Sequence, residues 1–153
     1  MGWVDSLKGN IIGLDTTPLI YFTEENQTYI EVIDPFFKAV GSGELMVITS
    51  VVTLLEVLVR PIRDGNLILA QRYREFLLNT NSVTTHFLSQ EIAEEAARLR
   101  AFHNIRTPDS IQMATALKAG ATFFLTNDIR LPSLPELKVL DLDTLKAQSE
   151  SVQ

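Results

Sequence analysis

"RTPDSIQMATALKAGATFFLTND", residues 106–128, places a helix signal directly before a strand signal. Thr107 and the proline after it are typical of a helix start, and Gly120 predicts the end of that helix. The apolar run "ATFFLT" then predicts a buried strand. Asp109 lies at the start of the helix and Asp128 follows the strand. The stretch therefore predicts a helix–strand unit with a carboxylate beside each element.

The same alternation of strand and helix signals continues along the chain. Strands are predicted at "IIGLD" (11–15), "ELMVITS" (44–50), the weaker segment 82–87 and "KVLDL" (138–142). Helices are predicted after Pro18, over "VVTLLEVLVR" (51–60), from Asn66 to Leu78 and over "QEIAEEAARLRAF" (90–102). Apolar strands separated by helices favour an α/β fold with a central, mainly parallel sheet flanked by helices in three layers.

Composition limits the classes of protein to which the chain can belong. Its 153 residues suit one domain over residues 1–145, and residues 146–153 are predicted to form a disordered tail. The chain has no cysteine, no apolar leader and no stretch long enough to span a membrane, so we expect a cytoplasmic protein. A net charge of −6 argues against a general polyanion binder. A bound divalent cation would reverse that charge locally.

Acidic residues follow or begin several of the predicted elements. In a parallel sheet, ligands bind outside the carboxyl ends of the strands, where Asp15 and Asp128 are both expected. Glu56 lies in a helix with apolar neighbours, so its carboxylate is predicted to face the interior. Together with Asp109 these side chains predict a site for Mg²⁺ or Mn²⁺, which take oxygen ligands. Without a cation the carboxylates would repel one another, and at least one should have a raised pKa.

Each acid also has a simpler explanation when it is taken alone. Glu56 could pair with Arg60 one helical turn away. Asp109 is an ordinary residue for a helix start, and Asp128 for a turn after a strand. The cation hypothesis depends on all of these acids meeting in space.

The motifs "GLDTTPLIYF", "VTLLEVLVRP", "TPDSIQMATAL" and "LTND", in this order, resemble the PIN-domain ribonucleases. The resemblance is closer to the single-domain VapC-type toxins of toxin–antitoxin systems, and it extends from about Ile11 to Leu142. It implies a PIN-like fold with four carboxylates that coordinate the metal and take part in catalysis. In this sequence they are Asp15, Glu56, Asp109 and Asp128. The third motif departs mildly from the family, because Ser110 stands where alanine is usual.

The resemblance implies a metal-dependent endoribonuclease that hydrolyses phosphodiester bonds in RNA. Water acidified by the cation would attack the phosphorus, with Asp109 as the candidate proton acceptor. Thr126 and Asn127 are candidates for orienting the neighbouring carboxylate, although turn chemistry explains them equally well. Candidate phosphate contacts are Arg60, Arg63 and Arg130, for which solvated charges or ion pairs are the alternative.

The resemblance also implies partners, namely a protein antitoxin and a second copy of the chain in a homodimer. A rival function remains open from the sequence. The chain could be a catalytically silent PIN-like module that binds RNA or protein and uses its carboxylates structurally. Metal should stabilise the protein only if the cation site exists.

Overall fold

The computed structural model of the chain describes residues 2–151. After a short 3₁₀ turn at Asp5–Leu7, five strands and seven α-helices follow. The strands are β1 (Ile11–Leu14), β2 (Met46–Ser50), β3 (Val83–His86), β4 (Phe123–Thr126) and β5 (Lys138–Asp141). The helices are α1 (Thr16–Thr23), α2 (Ile30–Gly41), α3 (Val51–Arg63), α4 (Leu67–Asn79), α5 (Gln90–His103), α6 (Thr107–Lys118) and α7 (Leu142–Ser151).

The five strands form one parallel sheet in the order β3-β2-β1-β4-β5. This confirms the predicted α/β fold with a parallel sheet. From the central strand β1, the chain adds β2 and β3 on one side and β4 and β5 on the other. The order therefore reverses between β1 and β4, and in such sheets a crevice opens at this point outside the carboxyl ends of the strands.

Apolar clusters cover both faces of the sheet. On one face, Ile12 and Leu14 of β1 pack with α1, α2, α4 and α7, and Phe36 and Tyr73 are fully buried there. On the other face, α5 and α6 pack through residues such as Met113 against Phe124 of β4 and its neighbours. Alternate strand residues thus enter opposite clusters, which produces three layers.

α6 lies unusually close to the sheet at Gly13. A Cβ atom built on Gly13 would stand 2.6 Å from Cβ of Ala116 and 2.8 Å from Cδ1 of Phe124. Both distances are shorter than a van der Waals contact, so only glycine allows this approach of helix and strand. The close contact joins the C-terminal half of α6 to the middle of β1, with Phe124 of β4 beside it.

The C-terminal segment differs from the expectation of a disordered tail. Lys146 to Ser151 continue α7, which begins at Leu142, and Lys146 pairs with Glu150 at 2.6 Å. The last two residues, Val152 and Gln153, lie outside the described part of the chain. Within residues 2–151, the longest apolar helices are too short to cross a membrane.

Candidate active site

A cavity of about 610 Å³ opens at the carboxyl ends of β1 and β4, where the strand order reverses. Its walls come from α1, α3, the start of α6 and the loop after β4. The lining consists of Asp15, Thr16, Thr17, Ile20, Tyr21, Glu56, Arg106, Pro108, Asp109, Asn127, Asp128 and Arg130. All the acids that the sequence singles out are in this list, so the fold brings them to one cavity.

Asp15 is the most deeply placed of these acids, with 8% of its surface exposed. It follows β1 directly and caps α1, and its Oδ1 accepts the backbone N–H of Thr16 at 2.8 Å. Its Oδ2 accepts the Thr126 hydroxyl at 2.7 Å. Burial raises the pKa of Asp15 to about 6 despite these hydrogen bonds, and the charges of Asp109 and Glu56 add to the rise. Both donors are neutral, so neither supplies a positive charge that would compensate an ionised Asp15.

Glu56 reaches the cavity from the exposed side of α3. Its Oε1 accepts a hydrogen bond from the hydroxyl of Thr16 at 2.6 Å. This contact stands in place of the ion pair with Arg60 that the sequence offered as the alternative. The expectation that Glu56 faces the interior is wrong, since the residue is exposed. Its apolar neighbours Leu55 and Val59 are also exposed, at 65% and 51%, and therefore do not mark the buried side of the helix.

Arginines hold the other two carboxylates. Asp109, in the first turn of α6, accepts from the guanidinium of Arg106 at 3.2 and 3.3 Å. Asp128 accepts from Arg130 through both carboxylate oxygens, at 2.9 and 3.0 Å. The Arg130 guanidinium lowers the pKa of Asp128 below its usual value. The arginine side chains are 71% and 77% exposed, so both guanidinium groups lie at the mouth of the cavity.

The remaining sequence candidates divide between the cavity and its surroundings. The Thr126 hydroxyl donates to Asp15 and accepts the backbone N–H of Asp128 at 3.0 Å, and it thus connects the ends of β1 and β4. The side-chain amide of Asn127 donates to the Tyr21 hydroxyl at 2.9 Å. Arg60 and Arg63 are exposed in the last turn of α3, outside the cavity lining.

Sequence reasoning did not single out several residues that line the cavity, among them Arg106, Tyr21 and Thr16. The position of Arg106, three residues before Asp109, is a recognisable signal because residues at this spacing meet on a helix surface. Tyr21 gives no such signal, since an aromatic residue in an apolar helix is usually part of the core.

The chemistry of the cavity fits a hard divalent cation. Its carboxylates offer oxygen ligands, and within residues 2–151 the buried Asp15 carboxylate lacks a cationic partner. In residues 2–151, however, no three His, Asp or Glu side chains stand close enough together to hold an ion. Two of the acids are instead paired with arginines, Asp109 with Arg106 and Asp128 with Arg130. Cation binding by three of the cavity's carboxylates would require at least one of Asp109 and Asp128 to leave its arginine.

Comparison with known proteins agrees with this architecture. The family model described as the PIN domain matches residues 12–137. A search of curated proteins found no match. Among solved structures, the chain is similar to VapBC2 from Rickettsia felis bound to a promoter DNA fragment, with a TM-score of 0.66 and 16% identity, covering 86% of this chain and 98% of that one.

Two further structures show the same fold. DNA-bound VapBC from Salmonella typhimurium has a TM-score of 0.60 and 18% identity over 87% of this chain and 98% of that one. VapC20 from Mycobacterium tuberculosis, described as a toxin that cleaves the sarcin-ricin loop, has a TM-score of 0.60 and 16% identity over 74% and 86%. The family match covers the strands and helices that build the cavity, and the chain belongs to the PIN domain family.

Proposed function

We propose that the protein is a Mg²⁺- or Mn²⁺-dependent endoribonuclease and the toxin of a type II toxin–antitoxin pair. The observation that carries this proposal is the cavity at the reversal of strand order, which Asp15, Glu56, Asp109 and Asp128 all line. Acids that are far apart in sequence share one cavity, and the most buried of them has a raised pKa. Such perturbed groups cluster at functional sites.

Asp15, Glu56, Asp109 and Asp128 would hold the cation. When bound, the cation would stabilise charge on the phosphate and lower the pKa of water, which is the difficult part of phosphodiester hydrolysis near neutral pH. Asp15 is already oriented for binding, because Thr16 and Thr126 fix its two oxygens. Asp109 remains our candidate for the proton acceptor, since it lines the cavity with 13% of its side chain exposed.

Arg106 and Arg130 are the proposed phosphate contacts, and Arg106 replaces Arg60 and Arg63 in that role. Both guanidinium groups are exposed at the cavity mouth and carry donors in a planar fork that matches phosphate oxygens. The chain as a whole has a net charge of −6, so attraction for RNA must come from the site itself. The cation and the two arginines would supply it.

The choice of RNA as substrate and of an antitoxin as partner is supported by the likeness to VapBC complexes and to a toxin that cleaves the sarcin-ricin loop. The surface offers a suitable interface. Five large apolar side chains are between 51% and 77% exposed on α3 and the start of α4: Leu55, Val59, Ile62, Leu67 and Ile68. Such apolar exposure marks protein-binding surfaces. We propose that this α3–α4 apolar face contacts the antitoxin or the second copy of a homodimer, in the cytoplasm.

The test is cleavage of RNA by the purified protein with Mg²⁺ and with a chelator. Wild-type protein should cut only with Mg²⁺. An Asp64→Asn control should behave in the same way, because Asp64 is an exposed residue at the end of α3, outside the cavity lining. Asp128→Asn should lose at least about 100-fold in rate if the carboxylate holds the cation. Equal cleavage by wild type and Asp128→Asn would contradict the proposal. RNA binding without cleavage by the wild type would favour the silent module.

A further inference from the structure

A buried polar cluster lies beneath the cavity, between α1, α3 and α6. Its members are Thr16, Thr53 and Gln112, which are 8%, 0% and 2% exposed. The side-chain nitrogen Nε2 of Gln112 lies within hydrogen-bond distance of both threonine hydroxyls, and it is 3.3 Å from Oγ1 of Thr16. The two hydroxyl oxygens are 3.1 Å apart. The cluster therefore connects the three helices through side-chain hydrogen bonds alone.

The contacts of the Thr16 hydroxyl determine which of its neighbours donate and which accept. Thr16 has a single hydroxyl hydrogen, and the 2.6 Å contact assigns it to Glu56, a carboxylate. Its oxygen must then accept from its other neighbours, Thr53 and Gln112. The NH₂ group of Gln112 has two hydrogens and serves both threonines. The opposite amide orientation would set two acceptors against each other, the Gln112 Oε1 and the Thr16 oxygen.

Thr16 also fixes the buried carboxylate of Asp15. Its backbone N–H donates to Asp15 at 2.8 Å, while its hydroxyl donates to Glu56. One residue thus sets the position of Asp15 relative to Glu56. Thr16 in turn accepts a hydrogen bond from the side-chain amide of Gln112. Gln112 lies on α6, the helix that also carries Asp109.

Gln112 is costly for a residue that only fills space. Its Oε1 is buried and lacks a hydrogen-bond partner within residues 2–151, and an unsatisfied buried acceptor costs about 1–3 kcal/mol. Methionine has nearly the same volume and no such cost. The amide is therefore explained better by what its NH₂ group does than by packing.

We propose that Gln112 is a positioning residue of the cation site: by donating to Thr16 and Thr53 it directs the Thr16 hydroxyl onto Glu56 and sets the spacing of Glu56 and Asp15. This inference rests on the proposed function, because it assumes that these two carboxylates share a cation. It adds a residue on α6 that touches none of the reacting groups.

The test measures Mn²⁺ binding by calorimetry in the absence of RNA. Gln112→Met should weaken binding about 10-fold, the lower end of the loss usual when a group that orients a metal ligand is removed. The matched control is Thr115→Val on the same helix, because the Thr115 hydroxyl is buried and donates only to the backbone oxygen of Ile111 at 2.7 Å. The control should change the Mn²⁺ affinity less than about twofold, whatever it does to the melting temperature.

A second pair of variants keeps the inference testable if Gln112→Met folds poorly. Thr16→Val keeps the backbone N–H to Asp15 but loses the hydroxyl, so it should weaken Mn²⁺ binding by a similar factor, and Thr16→Ser should recover most of the loss. Combining Thr16→Val with Gln112→Met should cost no more than Thr16→Val alone, because both changes break one chain of hydrogen bonds.

The outcomes separate the inference from the proposed function. If wild-type protein binds Mn²⁺ and Gln112→Met binds it as tightly as Thr115→Val does, the role of Gln112 is wrong while the cation site stands. Additive losses in the double variant would also overturn it. If the wild type does not bind Mn²⁺, or Asp15→Asn binds it equally well, the proposed function fails and this inference fails with it.

Discussion

Asp15→Asn is predicted to stabilise the metal-free protein near neutral pH while it abolishes cation binding. Burial raises the pKa of Asp15 from 3.8 to about 6, chiefly because the charged form is poorly solvated. Each pKa unit corresponds to about 1.4 kcal/mol, so the ionised carboxylate costs the folded state about 3 kcal/mol. Asparagine removes the charge and keeps an acceptor for the Thr16 N–H.

The sign of the pH dependence follows from proton binding. Between about pH 4 and pH 6 the folded protein retains a proton on Asp15 that the unfolded chain has lost. The free energy of unfolding of the wild type should therefore fall as pH rises through this window, whereas the Asn variant lacks this contribution. At about pH 7.5 the variant should be more stable by about 2–3 kcal/mol, and at about pH 4 the two proteins should be nearly equal.

The assay is urea or thermal unfolding in a chelator at about pH 4 and about pH 7.5. For a chain of this size, 3 kcal/mol corresponds to a rise in melting temperature on the order of 6–10 °C. Adding Mg²⁺ should then stabilise the wild type but not the variant. Asp64→Asn serves as the control for removing an exposed carboxylate. A variant that is less stable than the wild type by the same amount at both pH values would refute the reasoning.

Three further predictions test the charge cluster, the fold and the proposed interface. Arg130→Gln frees Asp128 from its guanidinium, so calorimetry should show tighter Mn²⁺ binding while RNA binding weakens, and the distant Arg63→Gln should change neither. Gly13→Ala places a methyl group 2.6 Å from a side-chain carbon of α6, and chemical denaturation should show a loss of about 1–3 kcal/mol. Ile68→Asp, at a position that is 72% exposed, should reduce self-association or antitoxin binding in sedimentation experiments without changing the melting temperature by more than about 2 °C.

The sequence predicted the framework well because its signals are local. The apolar run "ATFFLT" and the helix-start residue Thr107 lie at the boundaries that the structure shows. The parallel sheet followed from strands that alternate with helices. What the sequence lacked was the strand order, because the reversal between β1 and β4 depends on which strands pair across long stretches of chain.

The sequence predicted which acids line the cavity of the candidate site, but not the side chains that contact them. Carboxylates at the ends of elements are visible in sequence, and the structure places them around one cavity. The orientation of Glu56 was wrong because apolar neighbours were taken to mark the buried side of α3, although Leu55 and Val59 are exposed. The polar contacts of Thr16 and Gln112 could not be predicted, since these residues are 96 positions apart and meet only through tertiary packing.

The pairing of Asp109 and Asp128 with arginines also lay beyond the sequence. Arg130 was a candidate for phosphate, but its contact in the structure is with a proposed metal ligand. Arg106 was not singled out at all. Short side-chain contacts of this kind depend on backbone turns, such as the one in which the Arg130 N–H donates to Asp128 at 3.0 Å.

The central claim is that acids distant in sequence bind one class of hard cation in the cavity between β1 and β4. The most direct measurement is an anomalous difference map from a crystal soaked in Mn²⁺. The account predicts a peak inside the cavity, with an oxygen of Asp15 about 2.0–2.2 Å from the ion and at least one of Asp109 and Asp128 turned away from its arginine. A cavity without a peak at saturating Mn²⁺, with both arginine pairs intact, would contradict it.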